Sequence, residues 1–290
     1  MKAIIFGSNG QDGHYLSEWL KHKSIEVISV SRSNSRVIGD VSDFGFVESL
    51  IKTHQPAYVF HFAANSTARH DALFENHKAI STGTINVLEC VRLHAPSSRV
   101  FLSGSALQFQ NANSPIDEET PFAATSAYSV ARIHSVYASR YYRDTFGMKV
   151  YVGYFFNHDS PLRTEKHVNQ KITAAVKRIA GGSAEKLELG NINIRKEFNF
   201  AGDMVEAVWI LVNQDKIFEA VIGSGVAHTI QEWIDYCFTK VGKKWQEHVV
   251  INPKFVTEDS TLVCNPRQLK SLGWAPKVSF TELAEMMMAD

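Results

Sequence analysis

The sequence predicts an α/β fold: a doubly wound parallel sheet with helices on both faces, followed by a smaller C-terminal lobe. Three observations carry this. Short apolar runs alternate with segments of helical period from residue 2 to residue 156. Glycines cluster where the first run meets the first helix. The 290 residues are 44% hydrophobic, ample for a sizeable core.

Segment 2–6 is an apolar run closed by Gly7, and 12–22 carries Tyr15, Leu16, Trp19 and Leu20 at helical spacing. A strand at 25–30, a helix at 44–53 and a strand at 57–62 continue the alternation. A helix at 81–94, a strand at 99–103, a long helix at 126–146 and a strand at 149–156 repeat it. Strands separated by helices return parallel, with helices covering both faces. Beyond 156 the pattern loosens into a helix at 167–180, the Gly181-Gly182 break, a loop-rich tail and a last helix at 280–288.

Composition excludes several classes. The 30 basic and 30 acidic residues cancel and are dispersed, so neither nucleic acid nor a membrane surface is expected as a partner. Cys90, Cys237 and Cys264 are too scattered for a disulfide framework and read as buried thiols. The twelve histidines form no HExxH or carboxylate–histidine cluster, so no metal is expected. The apolar run before Gly7 is too short for a signal peptide or a membrane span, and a cytoplasmic location is expected.

Gly7-Ser8-Asn9-Gly10-Gln11-Asp12-Gly13 stands at the first strand-to-helix junction. Glycines let the backbone turn tightly against a pyrophosphate, and the free N–H groups of the helix start favour the anion. The fold class is therefore Rossmann-type, with Gly7, Asn9, Gly10, Gln11, Asp12 and Gly13 as dinucleotide-binding candidates. The second strand ends Ser29-Val30-Ser31-Arg32-Ser33, without the acid that would take an NAD ribose 2′-hydroxyl. Arg32 suits a 2′-phosphate instead. NADP(H) is favoured on this ground, with NAD(H) as the alternative.

Several motifs together resemble a known family. They are Gly10-Gln11-Asp12-Gly13-His14-Tyr15-Leu16, Gly39-Asp40-Val41-Ser42-Asp43, Phe156-Asn157-His158-Asp159-Ser160-Pro161, Lys171-Ile172, Gly190-Asn191 with Arg195, and Leu272-Gly273-Trp274. The chain resembles the extended short-chain dehydrogenases/reductases (the NAD-dependent epimerase/dehydratase family), most closely the GDP-mannose 4,6-dehydratase and GDP-4-keto-6-deoxymannose reductase group. The resemblance implies that Asp40 and Val41 contact the adenine and that Phe62, Ala63 and Ala64 line the cofactor. It implies that His158 and Arg163 help hold the cofactor, and that Asn157, Lys171 and Arg195 bind the diphosphate of a nucleotide sugar. Residues 1–157 with about 198–224 would form the dinucleotide-binding domain, and about 158–197 with 225–290 the substrate-binding lobe.

Catalysis in that family uses a Ser or Thr with a Tyr and a Lys spaced YxxxK, one helical turn apart on one face. The cation favours the phenolate, which exchanges a proton with the sugar hydroxyl while hydride moves at the nicotinamide. Tyr128 is in place in Ser126-Ala127-Tyr128-Ser129-Val130-Ala131-Arg132, but Arg132 stands at the lysine position, a wider planar donor. Ser105 falls at the Ser/Thr position. Two residues on, Leu107 replaces the glutamate with which the 4,6-dehydratases move the C5 proton, and a leucine can do no acid–base work.

A keto-reductase or dehydrogenase acting at C4 of a nucleotide-activated sugar, GDP-linked by the resemblance, is therefore expected. A C4 epimerase, a 4,6-dehydratase and a non-catalytic dinucleotide or nucleotide-sugar binder remain as alternatives. Lys254-Phe255-Val256-Thr257-Glu258 departs from the family's Arg-Pro pair before its glutamate, which weakens the assignment of guanine as the base. Tyr137, Tyr141 and Tyr142 on the 126–146 helix point to a homodimer, since the family commonly pairs through helices there.

Overall fold

The computed structural model describes residues 1–255 and 261–289. In chain order the first half reads β1 (Lys2–Phe6), α1 (Gln11–His22), β2 (Glu26–Ser31), β3 (Val37–Ile38), α2 (Phe44–His54), β4 (Tyr58–His61), the short α3 (Leu73–Asn76), α4 (Gly83–His94), β5 (Arg99–Ser105), α5 (Ala127–Phe146) and β6 (Lys149–Phe155). Then come β7 (His158–Asp159), α6 (Val168–Ala180), β8 (Leu187–Leu189), β9 (Arg195–Glu197), β10 (Asn199–Phe200), α7 (Ala201–Val212) and β11 (Glu219–Ile222). The last elements are β12 (Ala227–Thr229), α8 (Ile230–Lys240), β13 (Val249–Ile251), β14 (Thr261–Leu262), α9 (Arg267–Ser271) and α10 (Phe280–Met288).

Seven strands form one parallel sheet in the order β11-β6-β5-β4-β1-β2-β3. Strand alternation sends Ile4 and Phe6 to one face, where α2, α4 and α5 bring Val47, Ile51, Leu88, Val91 and Val136. Ala3 and Ile5 face the other side, against Leu16 and Leu20 of α1 and Met204, Val208 and Leu211 of α7. Both faces being covered explains why these strands read as continuous apolar runs. A third core gathers Ile172 and Val176 of α6, Trp233 and Phe238 of α8, and Leu283 of α10.

Two expectations from the sequence need correction. The helix expected at 81–94 is preceded by a π-helical stretch, His77–Thr82, and becomes α-helical only from Gly83. Gly83 is required there, because a Cβ would lie 2.8 Å from Val41 and 3.1 Å from His61 Nε2. The tail is not loop-rich: α7 and α8 are well-formed helices. Helix α8 buries Ile230, Trp233, Ile234, Cys237 and Phe238, a regular helical stripe, and Thr229 with Glu232 makes a reciprocal capping box at its start. Helix α7 is apolar on nearly every side, so periodicity alone could not separate it from a strand.

Among the described residues no helix is long and apolar enough to cross a membrane, and no group of three or more His, Cys, Asp or Glu is placed to hold a metal. The three cysteines are buried and free.

Candidate active site

The C-terminal ends of β1, β4, β5 and β6 open into a cleft of about 420 Å³, bounded on its far side by the loop after β6, the start of α6 and β9. Ligands of open α/β sheets bind at this edge. Gly7, Gly10, Gln11, Asp12 and Gly13 form one wall, Phe62 and Ala64 a second, and Ser105, Tyr128 and Arg132 the floor between them.

The glycine loop is built for close approach. Gly7 has φ +87°, and a Cβ there would sit 2.6 Å from the Ala63 nitrogen. A Cβ on Gly13 would fall 2.6 Å from Ser8 Cα, so α1 can rest on the loop only as glycine. At Gly10 a side chain would meet only the Gly7 carbonyl oxygen, at 3.4 Å, so that position is open towards the cleft. The N-terminus of α1 thus presents free backbone N–H groups to an anion. Asn9 turns away, donating its amide to the Ser33 carbonyl.

Gln11 and Asp12 clasp the opposite wall. Gln11 donates to the His158 carbonyl at 3.2 Å and accepts from Ser160 Oγ at 2.9 Å. Asp12 Oδ1 lies 2.9 Å from His158 Nε2, while His158 Nδ1 donates to the Phe156 carbonyl at 2.8 Å. Arg163 adds a bond to the His158 carbonyl at 3.0 Å and pairs with Asp159 at 3.3 Å. Burial works against charge on both Asp12 and His158, but each partner overcomes it, holding the aspartate below its ordinary value and the histidine above its own.

These shifts fix the direction of the pH effect. The raised histidine stabilises fully below its ordinary 6.5 and loses this as pH climbs through its raised value. The lowered aspartate stabilises above its ordinary 3.8 and loses this as pH falls through its lowered value. The clasp should therefore contribute most between pH 3.8 and 6.5. In thermal melts the gap between wild type and His158→Gln, about 1–3 kcal/mol, should be widest in that window and narrow on both sides. A gap independent of pH would rule the ion pair out as its source.

The floor joins β5 to α5. Ser126 opens α5 with a capping box to Ser129, so Tyr128 and Arg132 lie in its first turns and face β5. Arg132 Nε donates to the Tyr128 oxygen at 3.1 Å, with the guanidinium over the ring at 5.1 Å. Its Nη1 donates to the Ser103 carbonyl and, at 2.7 Å, to Ser103 Oγ, which donates onward to the His61 carbonyl at 3.1 Å. Nη2 has no protein partner among the described residues. Burial, and then the Arg132 charge, push the His61 ring down to about 3, so it stays neutral beneath the site. Ser105 Oγ accepts the Leu107 N–H at 3.2 Å and its proton stays available to a substrate oxygen.

The remaining candidates are spread out. Asn157 lines the cleft and its carbonyl is held by Asn199 at 2.8 Å. Lys171 bonds the Glu188 carbonyl at 2.7 Å and Arg195 the Ala227 carbonyl at 2.9 Å, both outside the cleft lining. Strand alternation on β9 instead turns Lys196 into the cleft, nine-tenths buried, with burial lowering its basicity against the nearby Asp159. The sequence motifs point to Arg195 and miss Lys196 beside it.

Asp40 caps the turn at Ser42, and Val41 packs under Gly83. Arg32 is exposed and paired with Glu75 at 2.9 Å. The departure noted at 254–258 falls largely on residues 256–258, outside the described residues.

Residues 4–287 match the family model for GDP-mannose 4,6 dehydratase. GDP-mannose 4,6 dehydratase 1 of Arabidopsis thaliana is 32% identical over 318 residues, covering 99% of this chain and 88% of that protein. The Vibrio cholerae GDP-mannose 4,6-dehydratase is 28% identical over 350 residues, covering 100% and 93%. Among solved structures, RMD from Pseudomonas aeruginosa complexed with NADPH superposes with a TM-score of 0.88 at 19% identity, covering 99% of this chain and 97% of that one. The Bacillus anthracis dTDP-glucose 4,6-dehydratase in complex with NAD gives 0.87 at 17% identity, covering 99% and 95%.

Proposed function

The chain belongs to the GDP-mannose 4,6-dehydratase family of extended short-chain dehydrogenases/reductases, and from that membership we propose an NAD(P)-dependent oxidoreductase acting at C4 of a nucleotide-activated hexose, GDP-linked as in its relatives. The observation that carries this is Tyr128 beside Arg132 and Ser105 on the floor of a cleft whose wall is the glycine loop.

A bound nicotinamide dinucleotide would supply or accept the hydride. The open face of Gly10 and the N–H groups of α1 fit its pyrophosphate. Tyr128 gives or takes the proton at the sugar oxygen, Ser105 orients that oxygen, and Arg132 Nε steadies charge on the phenol oxygen. Arg132 Nη2 is left for the nicotinamide ribose, the task a lysine performs elsewhere. Lys196 and Asn157 are the cleft's groups for the sugar-nucleotide diphosphate. About 158–197 and 225–290 are the segments assigned to the substrate lobe, although Leu269 and Trp274 pack back on the face of the sheet that carries α1 and α7. NADP(H) remains the favoured cofactor on account of Arg32. Tyr142 is buried and bonds Glu89, so it leaves the stripe expected from the sequence; Tyr137 and Tyr141, with Val130, remain exposed on α5, which supports a homodimer.

A second reading is 4,6-dehydration, which the relatives' names favour. It needs an additional group to move the C5 proton. Leu107 cannot, and the two carboxylates lining the cleft, Asp12 and Asp159, are both paired.

The deciding experiment titrates NADPH and NADH by fluorescence with and without GDP-mannose and its 4-keto derivatives, weighs the products, and measures the particle mass. A two-hydrogen change matched to dinucleotide consumption is expected. Loss of water without net consumption would replace this reading with dehydration, and no dinucleotide binding would remove it.

A further inference from the structure

The sheet order β4-β1-β2 places the glycine loop, at the end of β1, between the segments that leave β2 and β4. Arg32 comes directly after β2, and Glu75 lies on α3, after β4. Strands two places apart are separated by about 10 Å, so the Arg32–Glu75 pair at 2.9 Å bridges the segments on either side of the glycine loop, just outside the cleft lining. Glu75 is held from its own side as well: Asn65 Nδ2 donates to its second oxygen at 2.9 Å. The same stretch, through Ala64, Ser66 and Ala68, lines the cleft. The end of β2 carries no acid of its own, and Glu75 delivers one to that place from another segment.

We infer that Glu75 tempers the cofactor preference: its carboxylate competes with a dinucleotide 2′-phosphate for Arg32, holding NADP(H) affinity below what Arg32 alone would give while leaving NAD(H) affinity nearly untouched. The inference rests on the dinucleotide reading above. The pair is exposed on both sides, 63% and 43%, and so is readily exchanged. A phosphate takes an arginine fork at least as well as a carboxylate, but a Glu75 left beside it repels it.

Fluorescence titration of NADPH and NADH against wild type, Glu75→Gln, Arg32→Ala and the double variant tests this. Glu75→Gln should tighten NADPH about five-fold at low salt and less at high salt, with NADH changed less than about two-fold. In the Arg32→Ala background the same change should have a clearly smaller effect, because the competition for the guanidinium is gone and only the direct repulsion of the phosphate is left to relieve. If Arg32→Ala weakens NADPH while Glu75→Gln leaves it unchanged, the inference fails and the dinucleotide reading stands. If wild type binds neither dinucleotide, the reading fails and the inference with it.

Discussion

Tyr128→Phe should lower turnover by about 10²- to 10⁴-fold, the usual worth of a positioned proton donor, while leaving reduced-dinucleotide affinity within about two-fold. Only the phenol oxygen is removed. The ring stays under the Arg132 guanidinium and among Ile80, Ala131 and Ala64, so the floor should keep its shape. Arg132 keeps Ser103 as its anchor. Parallel measurement of turnover and of dinucleotide titration separates chemistry from binding; unaltered turnover would remove Tyr128 from the proton-transfer role.

The largest expected effect on stability lies at Glu197, which no motif singles out. It is fully buried on β9. One carboxylate oxygen accepts the Ser224 N–H at 2.6 Å, the Ser224 hydroxyl at 3.1 Å and Asn199 Nδ2 at 3.0 Å. The other accepts the Cys264 N–H at 2.6 Å. Gly223 must be glycine for this, since its Cβ would lie 2.8 Å from Cys264 Sγ and closer still to the carboxylate. Glu197→Ala strands these donors without water and should cost about 3–5 kcal/mol in urea unfolding. Glu197→Gln, which retains one accepting oxygen, should cost about half as much. A loss below about 1 kcal/mol for the alanine variant would mean the donors find other partners.

Glu197 belongs to the part of the molecule that local patterns do not reveal. Strands β1, β2, β4, β5 and β6 are legible because parallel strands covered on both faces are short apolar runs, whereas the two-residue edge strand β3 leaves no such run; the glycine loop is legible because its spacing sits at a strand-to-helix junction. Tyr128, Arg132 and Ser105 can be aligned from a resemblance, and they converge at one cleft. Lys196 and Arg195 are adjacent cations, and only the strand pairing of β9 decides which faces inward. Ser103 offers no local sign that it anchors a guanidinium 29 residues away. Glu75 meets Arg32 across 43 residues, a contact fixed by sheet order. The capping box of Thr229 and Glu232, by contrast, has a local signature, a threonine three residues before a glutamate, that marks the start of α8 without any tertiary information.

The clasp of Gln11 and Asp12 on residues 158–160 has an equilibrium consequence. The turn that would receive the pyrophosphate and the segment leading into the substrate lobe share one set of hydrogen bonds, so a rearrangement of either half must break these bonds or carry the other half with it. Any factor by which a filled dinucleotide half improves the grip on the sugar nucleotide must equal the factor by which the sugar nucleotide improves the grip on the dinucleotide. Order of addition then becomes a matter of rates and concentrations, because the two routes close the same thermodynamic cycle.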